Sequence, residues 1–253
     1  MTGPVPVQLY PERFSASRAE RLMTCPGSAN LPAAIPGWEP PPRRDKGRAR
    51  QGDAIHELFH SLSELPIADQ RGFLQSLEYY MAIRETRRFK VLSEESFVAE
   101  WLKTKPRTTV DRVLYVQDEL HLFDWKTGKI PVEVVDNKQL LFYAACAIHL
   151  APKAKFVTLH IVQPWAKDVL GEPNMRSWEV SAHDLGLFML EAQAAEDKIL
   201  AGDLSLNPSD EGCKFCPANP RSRGEKAGPY CPTLMQAWYP DTPIDEDFML
   251  EDD

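Results

Sequence analysis

The sequence predicts one globular domain of the α/β class, in which a mixed central sheet is flanked by helices. Two observations carry this prediction. Runs with the alternating apolar pattern of strands are interspersed with longer runs of helical periodicity. The chain has 253 residues, 43% of them hydrophobic, which is enough for a substantial core. The domain is expected to cover residues 1–239, followed by an acidic tail at 240–253.

The predicted elements alternate between the two types. The predicted helices are Ser17 to Thr24, a run that contains His56, Leu74 to Phe89, Glu133 to Leu150, and a helix that begins after Ser181. The predicted strands are Ser96 to Lys103, the two runs on either side of Gln117-Asp118, and Lys155 to Gln163. The last strand is indicated by its alternating apolar residues, and the last helix by the capping-box pattern Ser181-x-x-Asp184.

The two runs around Gln117-Asp118 predict a β-hairpin with a definite register. A two-residue loop pairs Val116 with Glu119, and counting back along both strands puts Asp111 directly opposite Asp124. Because Gln-Asp is not a favoured hairpin turn, a three-residue loop is the alternative. It would make the two carboxylates diagonal neighbours that could still share a metal.

The charges on this hairpin indicate a metal centre. Side chains directly opposite in an antiparallel pair lie about 5 Å apart at Cβ, and Lys126 projects from the same face as Asp124. Like charges that face each other destabilise a sheet, so a divalent cation between Asp111 and Asp124 would compensate. With a lysine beside it, such a cation would form a hydrolytic centre. The alternative is a hairpin whose charges are simply solvated.

Two helical runs carry further polar residues at one-turn spacing. Gln139 and Tyr143 are four residues apart, so they share one face of the helix that follows the hairpin. His56 and His60 are likewise one turn apart in the earlier helix.

Four of the five cysteines could form one metal site. Cys213, Cys216 and Cys231 provide three ligands, whereas tetrahedral zinc and a [4Fe–4S] cluster each need four, and Cys25 is the obvious fourth. Four unconnected thiols are the alternative. Cys146 lies in an apolar helix and is most simply a buried core thiol. The start of the chain lacks a basic and apolar leader. We therefore expect a cytoplasmic location and no disulfides.

The charge distribution is compatible with a nucleic-acid substrate despite a net charge of −8. Residues 241–253 carry seven acidic side chains and no basic one, so the remainder has a net charge of −1. Basic runs at 43–50, 84–90 and 221–226 are candidates for phosphate contacts. The tail is expected to be disordered, and its Phe248-Met249-Leu250 suggests a docking peptide or a DNA mimic. The longest apolar run, near Leu140 to Leu150, is too short to span a membrane.

The chain resembles the RecB-type nucleases of the PD-(D/E)XK superfamily. The resemblance rests on four motifs that occur in the family's order: Gly52-x-x-x-His56, Asp111, Asp124-x-Lys126 and Gln139-x-x-x-Tyr143. One early and three late cysteines are similar to the iron–sulfur branch, which includes CRISPR-adaptation exonucleases, AddB-type nuclease domains and phage relatives. The segment from Ser15 to Ala29 also resembles the opening of phage members, so the likeness spans roughly residues 15 to 232.

This resemblance implies a fold, an activity and a set of roles. It implies a restriction-endonuclease-like core whose terminal segments, 15–30 and 205–235, meet at a [4Fe–4S] cluster. It also implies a DNA exonuclease that acts on single strands or free ends. Mg²⁺ or Mn²⁺ would be held by Asp111, Asp124, the His56 ring and the Trp125 carbonyl. Lys126 would position the attacking water and stabilise the scissile phosphate.

The resemblance also implies roles for two helix residues and for the acidic tail, and the sequence departs from the family pattern at two positions. Gln139 and Tyr143 would orient Lys126 or contact the DNA backbone. A recombination or single-strand-binding partner could dock on the acidic tail. The sequence departs from the family at Thr108, where glycine is common, and in having Asp124 where glutamate is commoner before x-Lys.

Two other functions are compatible with the sequence. His56-Glu57-Leu58-Phe59-His60 matches the zinc-peptidase pattern H-E-x-x-H, with Glu78 or Glu85 available as third ligand. That reading leaves Asp124-x-Lys126 and the cysteines unexplained. A non-catalytic module with the same fold, which binds DNA or a partner through the metal cluster, is the second alternative.

Overall fold

The structure is a computed structural model that describes residues 13–35, 37–38, 57, 90–126, 130–163, 175–214, 216–219 and 230–238. It has a mixed α/β fold in which a five-stranded sheet is flanked by helices. The strands lie in the order β1 to β5, and every neighbouring pair is antiparallel except β3 and β4, which are parallel. The predicted mixed sheet is therefore confirmed.

The elements of the described chain follow in a fixed order. The strands are β1 (Lys90–Val98), β2 (Arg107–Val116), β3 (Glu119–Trp125), β4 (Phe156–Val162) and β5 (Met175–Ser181). The helices are α1 (Ala19–Thr24), α2 (Leu31–Ala34), α3 (Lys138–Ala147), α4 (Ala182–Leu200), α5 (Asp210–Cys213) and α6 (Pro232–Trp238). Short 3₁₀ turns cover Ala16–Arg18, Pro26–Asn30 and Ile148–Leu150.

Several boundaries differ from the predicted ones for local reasons. The strand expected at Ser96 to Lys103 begins earlier, as β1, and ends at Val98. The helix expected from Glu133 begins only at Lys138, because Asn137 is its N-cap and accepts a hydrogen bond from the backbone N–H of Leu140. Strand β5 was not predicted, because this edge strand has only one buried residue and lacks an alternating apolar pattern.

The sheet is covered on both faces at its centre. Residues 110–114 of β2 are all buried, and successive side chains of a strand point to opposite faces. Helix α3 follows β3 and buries every side chain from Leu140 to Ala147. Trp101 packs on Phe142 of this helix, with their rings 5.4 Å apart. Hence both the hairpin and the polar residues near the start of α3 sit on a densely packed framework.

The chain divides into two compact units. One contains residues 44–101 and 105–189, with the sheet and α3. The other contains residues 1–43, 102–104 and 190–253, with α1, α2, α5 and α6. The predicted domain limits, 1–239 with a separate tail, stay a prediction.

In the second unit, close backbone contacts and a buried carboxylate connect different segments of the chain. Gly27 packs so tightly that a side chain there would lie 2.3 Å from the carbonyl oxygen of Ser205. The buried carboxylate of Glu196 accepts hydrogen bonds from the backbone N–H groups of Lys103 and Thr104, at 2.7 and 3.0 Å. These contacts join segments that are distant in sequence.

Several predictions fall outside the described residues. They concern His56 and His60, the helix at 74–89, the acidic tail and most of the three basic runs. Within the described part, no helix has the length and apolar character needed to cross a membrane.

Candidate active site

The β2–β3 hairpin has the predicted register. Val116 pairs with Glu119 and Arg112 with Phe123, so the next step along both strands puts Asp111 opposite Asp124. The loop has two residues, as in the first of the two alternatives. Gln117 adopts a φ of +52°, the left-handed conformation that such tight hairpin turns require. The turn therefore forms despite an unfavourable sequence, because the long flanking strands determine it.

Both carboxylates are buried, which excludes a hairpin with solvated charges. Asp111 is 8% exposed and Asp124 is 3% exposed. Burial, then the nearby charge of Asp124, raises the pKa of Asp111 to about 8. The backbone N–H of Trp125, which donates to Asp111 Oδ2 at 2.6 Å, opposes this rise only in part. The Lys126 ammonium also lowers the pKa of Asp111, but not enough to offset burial, so Asp111 ionises easily only if further positive charge is bound.

Asp124 lies at the centre of a polar network with Lys126 and α3. Its Oδ2 atom forms an ion pair with Lys126 Nζ at 2.7 Å. Lys126 Nζ also donates to Gln139 Oε1 at 3.0 Å, and Gln139 Nε2 donates to Tyr143 Oη at 2.6 Å and towards Asp124 Oδ1 at 3.5 Å. The hairpin and the helix therefore hold the ammonium group from two sides. The structure thus brings Asp124, Lys126, Gln139 and Tyr143 together.

Tyr143 is the last member of this network and accepts the hydrogen bond from Gln139. Burial, then the charge of Asp124, raises the pKa of its hydroxyl above the ordinary value, so Tyr143 remains a neutral phenol. The side chain of Thr108 also forms a hydrogen bond with it. Thr108 stood out in the sequence only as a departure from glycine, and its hydroxyl contributes a contact that glycine could not make.

Glu94 is a second residue that sequence reasoning missed. It lies between Ser93 and Glu95, which pair with Arg112 and Val110, so it faces Asp111 across the β1–β2 pair. Its φ is +48°, and its charge contributes to the raised pKa of Asp111. In the sequence it is one of two adjacent glutamates in a polar run and resembles any solvated strand residue.

The residues present fit a hard divalent cation. Carboxylate oxygens are the ligands that Mg²⁺ and Mn²⁺ prefer. Asp124 Oδ2 is buried and, apart from its ion pair with Lys126, accepts no hydrogen bond of regular geometry from the described part of the chain, so a cation bound there would share this oxygen with the ammonium. His56 lies outside the described residues, and the Trp125 carbonyl stays a predicted ligand. No group of three or more His, Cys, Asp or Glu side chains in the described ranges stands in a metal-binding arrangement.

The four cysteines predicted to share a cluster are all buried in the second unit. Cys213, Cys216 and Cys231 belong to one apolar cluster with Leu31, Ile35, Ala218 and Leu234. Burial raises the pKa of each of these three thiols, and for Cys213 and Cys231 the charge of Cys25 adds to the rise. No cysteine of the chain forms a disulfide. Cys146 lies apart from them in α3, as expected for a core thiol.

Backbone N–H groups point at the sulfur atoms of these four cysteines. Asn207 N donates to Cys25 Sγ at 3.2 Å, and Ser209 N donates to Cys213 Sγ at 3.4 Å. Ala218 donates to Cys216, and both Thr233 and Leu234 donate to Cys231. Hydrogen bonds to sulfur stabilise thiolates and are a common feature around metal-bound cysteines. The chemistry of these donors suits thiolates, but the four cysteines, all in the described part of the chain, do not stand in a metal-binding arrangement, so the cluster stays a prediction.

Comparison with known proteins places the chain in a family. The chain is similar to a protein whose structure is titled "Crystal structure of SSO0001", with 13% identity over 79% of this chain and 81% of that chain, and a TM-score of 0.36. At this TM-score the likeness supports no argument about function. The family model described as "Protein of unknown function (DUF2800)" matches residues 76–228, which is more than half of the chain. The protein therefore belongs to the DUF2800 family.

Proposed function

We propose that the protein is a metal-dependent DNA nuclease of the RecB type, most simply an exonuclease, in the iron–sulfur branch of the PD-(D/E)XK superfamily. One observation carries the proposal. Two buried carboxylates face each other on adjacent strands, and a lysine that is ion-paired with one of them is held in place by a glutamine. Burial of these polar side chains is costly for folding. In a phosphodiester hydrolase, the carboxylates would bind the metal and the lysine would stabilise the phosphate, so each side chain would have a role in catalysis.

The roles of the residues follow from their charge and contacts. Asp111 and Asp124 would hold the cation, with His56 and the Trp125 carbonyl as further ligands. Bound there, Mg²⁺ or Mn²⁺ would activate a water molecule and neutralise phosphate charge. The Lys126 ammonium, fixed by Asp124 and Gln139, is suited to stabilise negative charge that develops on a scissile phosphate.

Gln139 and Tyr143 act through Lys126 in this proposal. Gln139 accepts from the ammonium with its oxygen and donates to the phenol with its nitrogen, so its amide has one orientation. A fixed lysine loses less entropy on meeting the phosphate, which is the advantage of a preorganised site.

We further propose that Cys25, Cys213, Cys216 and Cys231 bind a structural [4Fe–4S] cluster, with Zn²⁺ as the alternative metal. The support is five backbone N–H donors that point at four buried sulfurs. Iron, zinc and acid-labile sulfide measured on anaerobically purified protein distinguish the two metals. Colourless protein with about one zinc per chain would identify a zinc site.

The proposed substrate is DNA with single strands or free ends. Phosphate contacts would make binding weaken as salt increases. A recombination or single-strand-binding partner on the acidic tail, and a cytoplasmic setting, belong to the same proposal.

The first experiment follows degradation of end-labelled linear DNA by anaerobically purified protein with Mg²⁺ or Mn²⁺. Asp124→Ala is compared with Asp118→Ala, which removes an exposed carboxylate from the hairpin turn. We expect cleavage by the wild type and by Asp118→Ala, and none by Asp124→Ala. Folded wild-type protein that carries its cluster and cleaves nothing would favour the non-catalytic binding module. Peptide hydrolysis that is lost in His60→Ala would favour the zinc peptidase.

A further inference from the structure

Gln163 is a fully buried amide with every polar atom of its side chain engaged. It lies directly after β4 and is 0% exposed. Its Nε2 donates to the Ile130 carbonyl at 2.7 Å, and its Oε1 accepts from Val132 N at 2.9 Å and from Arg176 Nη2 at 2.6 Å. One side chain therefore binds the backbone of residues 130–132 in the way that a neighbouring strand would.

These contacts lie beside the predicted catalytic lysine. The backbone N–H of Lys126 donates to the carbonyl of Val162 at 2.9 Å, and Val162 immediately precedes Gln163. Two consecutive residues at the end of β4 thus hold the chain at Lys126 and again at Ile130. The three residues between these anchor points lie outside the described part.

The same segment leads directly into the helix that contacts Lys126. After Val132, the Glu133 carboxylate accepts from the backbone N–H groups of Val134 and Val135, at 2.9 and 3.2 Å. Asn137 donates to the Glu133 carbonyl and caps the helix that carries Gln139. Hence Val162 holds the backbone of Lys126, and Gln163 holds residues 130–132, which lead along the chain into the capped start of the helix that carries Gln139.

We propose that Gln163 is a positioning residue that acts through Lys126. This inference rests on the proposed nuclease function. By holding Ile130 and Val132, it fixes residues 130–132, which precede the helix that carries Gln139. Without it, the Val132 N–H, the Ile130 carbonyl and the Arg176 guanidinium lose these hydrogen bonds, and the ammonium loses its fixed place between Asp124 and Gln139.

Three variants separate positioning from general stability. Gln163→Ala removes all three hydrogen bonds, whereas Gln163→Glu keeps the acceptor for Val132 and Arg176 but cannot donate to Ile130. Asn30→Ala is the matched control, since it removes a side-chain amide that donates to two backbone carbonyls, of Ile199 and Asp203, in the other unit. We expect kcat for DNA cleavage to fall about 10- to 100-fold in both Gln163 variants. We expect KM for DNA to stay within about threefold in both.

The double variant Gln163→Ala with Lys126→Ala tests whether Gln163 affects catalysis through Lys126. If Gln163 acts through Lys126, Gln163→Ala causes no further loss of the residual activity once the lysine is absent. Equal fold losses in the two backgrounds would overturn the inference and leave the nuclease function intact. Wild-type kcat in Gln163→Ala would also overturn it, as would a comparable fall in kcat in Asn30→Ala.

Hydrogen exchange of the full-length protein provides a readout that needs no activity. We expect Gln163→Ala to increase exchange in peptides that cover residues 126–138, while Asn30→Ala leaves these peptides unchanged. Unchanged exchange at 126–138 in Gln163→Ala would refute the holding role. An inactive wild type would refute the proposed function, and the exchange result would still decide the role of Gln163.

Discussion

Replacing Asp111 by asparagine should stabilise the metal-free protein while abolishing its proposed activity. Burial and the nearby Asp124 raise the pKa of Asp111 from 3.8 to about 8. At pH 7, about three units above the ordinary value, the folded protein must retain a proton that the unfolded chain releases. At about 1.36 kcal/mol per unit, this costs about 4 kcal/mol of folding free energy. Asparagine avoids the cost and retains an oxygen for the N–H of Trp125.

The stabilisation expected from Asp111→Asn depends on pH. Because the folded-state pKa is raised, the stability contributed by Asp111 is fully present below pH 3.8 and is lost as the pH rises through about 8. We expect the free energy of unfolding of Asp111→Asn to exceed that of the wild type by about 2–4 kcal/mol at pH 7 and by more at pH 8, with little difference near pH 4. At about 2–4 °C per kcal/mol, the melting temperature should rise by about 4–16 °C at pH 7.

The assay is thermal unfolding in EDTA at several pH values, repeated with excess Mn²⁺. Mn²⁺ should stabilise the wild type, because it binds the folded state, and should have little effect on Asp111→Asn. Asp118→Asn, the same change at an exposed position, should behave as the wild type. An Asp111→Asn protein that melts at or below the wild-type temperature at pH 8 in EDTA would refute the reasoning.

Three further changes have defined outcomes. Gln139→Ala should lower kcat about 10- to 100-fold with a small change in melting temperature, since it removes the amide that holds the lysine; wild-type kcat would contradict its role. Burial lowers the pKa of His160 to about 3. The free energy of unfolding in urea titrations should therefore be highest above pH 6.5 and fall by up to about 1.4 kcal/mol per pH unit below it. His160→Gln should flatten this slope, and an unchanged slope would assign it to other groups. Gly27→Ala should destabilise the protein by about 1–3 kcal/mol, because its methyl group would collide with the Ser205 backbone, whereas Gly186→Ala in α4 should be neutral or stabilising.

The sequence was most informative where local rules suffice. Alternation along the chain and a two-residue turn determine the hairpin register, which could be predicted and is confirmed; one step beyond its last pair, Asp111 lies opposite Asp124. The helical repeat likewise put Gln139 and Tyr143 on one face, and Ser181 caps α4 as its pattern predicted, with its Oγ accepting from Asp184 N.

Tertiary structure decided what depends on neighbours distant in sequence. Burial of Asp111 and Asp124 depends on the packed sheet and helix α3, which is why solvated charges stayed open as an alternative in the sequence. The contact of Thr108 with Tyr143 also joins residues 35 positions apart, and no local pattern marks it. The amide of Gln163 meets residues 130–132 only because β3 and β4 pair in parallel, and the sequence gives no sign of that pairing. Propensity acts over a few residues, whereas burial and charge pairing are set by the packed core.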